Sequence, residues 1–89
     1  MKGKLSNSLE IFSKALQVDG NNVDALFNMG LTYNFLNQPG KSIELFQKAI
    51  LLKPDFVESY IELAKAYDLS GDKKNAALIR NKISNKKSN

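Results

Sequence analysis

Apolar positions recur along this chain at steps of three and four residues, the spacing that lines one face of an amphipathic helix. Ser8, Phe12 and Ala15 share one such face, Leu26, Met29 and Tyr33 a second, Ser42, Phe46 and Ala49 a third, and Tyr60, Leu63 and Tyr67 a fourth. The faces are copies of one another. Ser8-Leu9-Glu10-Ile11-Phe12-Ser13-Lys14-Ala15 returns 34 residues later as Ser42-Ile43-Glu44-Leu45-Phe46-Gln47-Lys48-Ala49. Leu26-x-x-Met29-Gly30-x-x-Tyr33 returns at the same offset as Tyr60-x-x-Leu63-Ala64-x-x-Tyr67. A fixed period of this size predicts a stacked helical repeat.

Local signals place five helices. Asn7 with Glu10 reads as a capping box for a helix over about 7–18, and Asn22 as the cap of a second over about 24–36. Asn37 and, one repeat later, Gly71 stand where a left-handed terminator is wanted. A third helix is predicted over about 41–52, closed by Pro54. Asp55 with Glu58 reads as a capping box for a fourth, over about 57–70. A fifth spans about 73–85 and frays into the polar run Ser84–Asn89. Gly30 costs about 1 kcal/mol against Ala inside a helix, so its place is predicted to reflect close packing by a neighbouring helix.

At 89 residues with 43% apolar content the chain makes one small globular domain. It has no Cys and no His, which removes disulfides, thiolate metal sites, the usual general base and the commonest metal ligand. No phosphate loop, metal-ligand spacing or nucleophile–base set is present, so neither catalysis nor a metal or other cofactor is expected. Glu58 and Glu62 share a face at i, i+4, and would hold a hard cation only with further oxygen ligands converging on them. Apolar runs are too short for a membrane span, and the basic start leads into an amphipathic pattern rather than a signal peptide. A soluble, cytoplasmic chain is the expectation.

Residues 23–56, through Leu26, Met29-Gly30, Tyr33, Ser42, Phe46, Ala49 and Pro54, resemble a tetratricopeptide repeat, with Leu26 in place of the first aromatic. The next register matches through Tyr60, Leu63-Ala64, Tyr67 and Ala76. It then departs, with Arg80 at the aromatic position and Ile83 at the small one. Before residue 23 only the second half of a repeat is present, with Ser8, Phe12 and Ala15 in place and Gly20 where Pro is expected. The resemblance implies an all-α fold of antiparallel helix hairpins, stacked as a short right-handed solenoid. It divides the single domain into a partial repeat over 5–22, a complete repeat over 23–56, a degenerate repeat with a C-terminal capping helix over 57–85, and a polar tail over 86–89.

The resemblance further implies a concave groove lined by the first helices of successive repeats, which takes a protein or peptide partner. The positions carried over are Asp24, Phe27, Asn28, Leu31, Asn34 and Phe35 on the second helix, with Glu58, Ile61, Glu62, Lys65, Asp68 and Leu69 on the fourth. Phe27, Leu31 and Phe35 form an apolar stripe at i, i+4, i+8, which serves either as a hydrophobic seat for a peptide or helix or as packing against another helix of the same assembly. The family's carboxylate clamp uses Lys, Arg and Asn. Asn28 matches its middle Asn, but Glu58 and Glu62 stand where cations are needed, so a C-terminal carboxylate is disfavoured. The acids Asp24, Glu58, Glu62 and Asp68 around aromatics suit a basic-apolar peptide better, unless they are simply solvated.

The first helix lacks its own partner helix. Leu5, Leu9, Ile11, Phe12 and Leu16, with Val18, carry more apolar surface than one neighbour covers, which predicts either a segment of a longer array or self-association through this face. The net charge of +4 is concentrated after residue 70, in Lys73, Lys74, Arg80, Lys82, Lys86 and Lys87 against Asp72 alone. No aromatics interleave with these cations, so nucleic-acid binding is not expected and a solvated surface is. The expected function is a non-enzymatic scaffold for protein–protein interaction. The alternative is a structural or oligomerisation segment of a longer superhelix with no free ligand.

Overall fold

Five helices follow one another as α1 (Lys4–Val18), α2 (Val23–Phe35), α3 (Pro39–Leu52), α4 (Val57–Ser70) and α5 (Lys73–Lys87). The computed structural model describes the backbone of residues 4–87 and the side chains of residues 8–85. Each helix packs on the next through a short connection, and α2 also touches α4, so the hairpins stack into a slab of 43 × 27 × 15 Å. No strand occurs among the described residues.

The helix ends show which local signals acted. Asn22 caps α2, its side-chain oxygen accepting from the Ala25 N–H at 3.1 Å. Asn37 (φ 58°) and Gly71 (φ 86°) both take the left-handed conformation. The following amide closes the same bond in each copy, Gln38 N–H to the Tyr33 carbonyl at 2.8 Å and Asp72 N–H to the Tyr67 carbonyl at 2.9 Å. Neither Asn7 nor Asp55, the residues expected to open capping boxes, stands at an N-cap position. Helix α1 begins at Lys4, so Asn7 lies inside it, continuous with the helix formers Lys4 and Leu5. The residue before α4 is Phe56, which makes no side-chain cap, so Asp55 sits one position too early. Pro39 opens α3 two residues ahead of expectation, because a first-turn Pro loses no helical hydrogen bond. Asp72, not anticipated as a cap, accepts from the Asn75 N–H at 3.1 Å and starts α5. That helix runs on to Lys87 rather than fraying from Ser84, its Lys residues being good helix formers.

The core is the set of repeat positions. Leu26, Met29, Phe46, Ala49, Tyr60, Leu63, Ala64, Ala76 and Ile83 are all buried. The Phe46 ring, wholly enclosed, lies against Gly30, where any Cβ would come within 2.6 Å of it. The close approach expected of Gly30 is therefore to this ring. In the next copy both partners change together. Ala64 replaces Gly30, and the aromatic is replaced by Arg80, which is exposed and pairs with Asp68.

Candidate functional site

Helices α2 and α4 run side by side as the first helices of successive hairpins, and a groove of about 510 Å³ opens between their C-terminal halves. Leu31, Asn34 and Phe35 line it from α2; Glu62, Lys65, Asp68 and Leu69 line it from α4. Seven expected positions are thus brought together. Phe35 is 78% exposed and Leu69 48%, while Leu31 is half-buried beneath them. Phe35 and Leu69 occupy the same place in the repeat, so the stacking itself sets two apolar side chains on the groove.

The other five expected positions lie outside it. Asp24 and Glu58 are exposed in the first turns of their helices, and Ile61 is half-buried away from the groove. Phe27 turns inward, its ring centroid 5.7 Å from that of Phe46 and 4.8 Å from that of Phe56. The Phe27/Leu31/Phe35 stripe therefore divides, Phe27 packing on the rest of the protein and Phe35 facing solvent. Asn28 donates its amide to the Asp24 carbonyl at 2.8 Å, within its own helix.

The groove acids are already matched. Asp68 pairs with Arg80 and with Lys73 at 3.5 Å, and Glu62 pairs with Lys65 at 3.3 Å. The hydrogen bond from Arg80, helped by the positive charge of Arg80 and Lys73, holds the Asp68 carboxyl below its usual range. Asn34 has a structural share in the site. Its amide donates to the Glu62 carbonyl at 3.2 Å, tying α2 to α4, and its oxygen accepts from the Ser42 hydroxyl.

On α1, Leu9, Phe12 and Leu16 are half-buried and Ile11 is 64% exposed, while the Leu5 side chain lies outside the described residues. Among the described residues α1 packs on α2 alone, and Val18 at its end is exposed. Sequence reasoning missed a further apolar pair, exposed Leu51 and Leu78. The available signal was a break in the repeat, since the copies 34 residues earlier are Gln17 and Glu44.

The tetratricopeptide repeat family model matches residues 23–56. The chain carries a tetratricopeptide repeat. Superkiller protein 3 of Saccharomyces cerevisiae is 35% identical over 68 residues, covering 76% of this chain and 5% of that protein. Two solved structures of MamA superpose with TM-scores of 0.90 and 0.84, at 25% and 26% identity over 96% and 90% of this chain. The chain spans 46% and 47% of those two structures, so it is about half their length and a small part of the yeast protein. Tetratricopeptide repeats form a family of protein–protein interaction scaffolds, generally without enzymatic activity.

Proposed function

We propose that this chain is an interaction scaffold that seats a peptide or helix of a protein partner in the groove between α2 and α4. The observation that carries this reading is the exposed pair Phe35 and Leu69 on a groove whose carboxylates already have cationic partners. An apolar side chain of the partner gains by covering the two, about 1.5–3 kcal/mol for each large side chain fully buried. Since Glu62 and Asp68 are matched within the chain, recognition rests on apolar anchors, and a basic residue on the partner is secondary. Panning a phage-displayed peptide library on the chain tests this. Selected peptides should lose binding to Phe35→Ala/Leu69→Ala while the variant keeps its helical circular dichroism. A selection in which no peptide loses binding to the variant refutes the groove.

Association through α1 is the second reading, supported by Ile11, exposed on a helix that packs on α2 alone among the described residues. It requires a dimer at micromolar concentration. A monomer mass by light scattering across that range excludes it.

A further inference from the structure

A second groove lies on the far side of α4. Tyr60, Leu63 and Tyr67 face it, about half a turn of helix away from Glu62, Lys65 and Leu69 of the first. Helices α3 and α5 flank α4 without packing on each other among the described residues, and the furrow between them has a volume of about 730 Å³. Ile50 and Leu51 form one wall and Leu78 and Ile79 the other, above a floor that includes buried Tyr60 and Leu63. Leu51 is 82% exposed and Leu78 50%.

The chain contains its own control for this surface. A smaller groove of about 420 Å³ lies one repeat earlier, over α2 between α1 and α3. Each side chain lining it has its counterpart, 34 residues on, lining the larger one. Leu16, Met29 and Leu45 answer to Ile50, Leu63 and Ile79. The walls differ in chemistry. Glu44 becomes Leu78, Lys41 becomes Asn75, and Gln17, beside the smaller groove, becomes Leu51. The same backbone positions accept Glu, Lys and Gln, so helix packing does not require leucine there. Leu51 and Leu78 are not overflow from the core.

Charge points to the occupant. Helix α5, Lys73–Lys87, contains six Lys and Arg residues and no Asp or Glu. Lys73 and Arg80 are drawn to Asp68, whereas Lys82, which lines the furrow, enters no ion pair among the described residues. Among the described residues Lys82 is the one charged side chain on the lining, beside the amides of Gln47, Asn75 and Asn81. A cationic, amide-bearing rim around aliphatic walls complements a segment with apolar anchors on one face and carboxylates on the other. We propose that the α3/α5 furrow is a second docking site, independent of the α2/α4 groove, for an acidic amphipathic helix of a partner protein.

The isotope-labelled full chain, titrated with a synthetic amphipathic peptide bearing Leu at helical spacing and Glu elsewhere, tests the proposal by NMR. Saturable shifts are expected at Leu51, Tyr67, Leu78 and Ile79, with a Kd below about 1 mM that rises with salt. Leu78→Glu and Leu51→Gln install the residues of the earlier copy and so keep the fold; each should weaken binding by about tenfold or more. Lys14→Gln, on α1, changes net charge by the same one unit as Leu78→Glu and should leave binding within about twofold, the change expected of a remote exposed charge. The proposal is overturned by no saturable shift, by shifts confined to Leu31, Phe35 and Leu69, or by equal binding of the Lys-for-Glu peptide. An oligothymidylate that shifts the furrow residues when the acidic peptide does not would assign the surface to nucleic acid instead. A Leu78-dependent dimer without peptide would assign it to a second copy.

Discussion

Gly30→Ala tests whether the Phe46 ring sets the spacing of α2 and α3. A Cβ on Gly30 would sit 2.6 Å from Cε1 and from Cζ of that ring, and 3.0 Å from Cδ1. Comfortable carbon contacts lie at about 3.5–4.0 Å, so the ring has to retreat by about 1 Å. It has nowhere to go, being fully buried with Phe27 edge-on at 5.7 Å. Overpacking of this kind costs about 1–3 kcal/mol, and replacing Gly by Ala inside a helix returns about 1 kcal/mol. The net expectation is a loss of about 1 kcal/mol, seen as a fall in Tm of about 4–8 °C for a domain of this size. In a Phe46→Leu background the methyl group finds room and only the helix-propensity gain remains. A double-mutant cycle by urea and thermal circular dichroism should therefore give a coupling of about 1–3 kcal/mol between positions 30 and 46. Ala64→Gly is the mirror experiment. Arg80 has replaced the ring there, so the change relieves no clash and should cost about 2 kcal/mol, about half from propensity and half from the lost buried methyl. A higher Tm for Gly30→Ala in the native background, or a coupling within about 0.5 kcal/mol of zero, refutes the reasoning.

Two further outcomes follow from single side chains. Ser59 buries a hydroxyl with no hydrogen-bond partner among the described residues, and its counterpart one repeat earlier is buried Ala25. Ser59→Ala should stabilise by about 1 kcal/mol, and an unchanged or lower urea midpoint counts against that account. The pH dependence centres on Asp68, whose carboxyl is held below its ordinary value by the Arg80 hydrogen bond first. A lowered folded-state pKa adds stability that is present above the unfolded value of about 3.9 and is lost as pH falls through the folded one. The stability gap between the native chain and Asp68→Asn should accordingly shrink from pH 7 towards about pH 3, as followed by urea midpoints; a gap independent of pH removes the ion pair from the account. Asp72, lowered by its hydrogen bonds from Asn75, adds to the acid sensitivity in the same direction.

The repeat made the architecture legible because its signal is redundant, with many positions at one spacing and each checking the others. Boundaries were legible where a single residue decides the backbone. Asn22 caps α2, and Asn37 and Gly71 turn left-handed, each as its residue type favours. They were misread where two signals competed, as at Pro39, which starts α3 rather than preceding it, and at Asp55, whose capping chemistry stands one residue from the helix. The groove was legible as a helix face but not as a surface. Phe27 and Phe35 look alike on α2, and what separates them is the position of Phe46 and Phe56, which one helix cannot report. The acids on α4 looked free because Arg80, 12 residues beyond Asp68 in the chain, reaches it only once α5 folds back.

Asn34 offers its amide to the main-chain carbonyl of Glu62 and makes no demand on the side chain at that position. Any helix entering after α3 would present such a carbonyl, so a tandem duplication of residues 23–56 would bring its own joint and meet the old sequence on equal terms. Position 68, the counterpart of Asn34, holds a carboxylate that accepts hydrogen bonds and has none to donate, and it is already occupied by Arg80 and Lys73. A further helix beyond α5 would set its carbonyl against that negative charge. The joint between successive first helices is thus carried by the 23–56 copy and is absent from the copy that follows it.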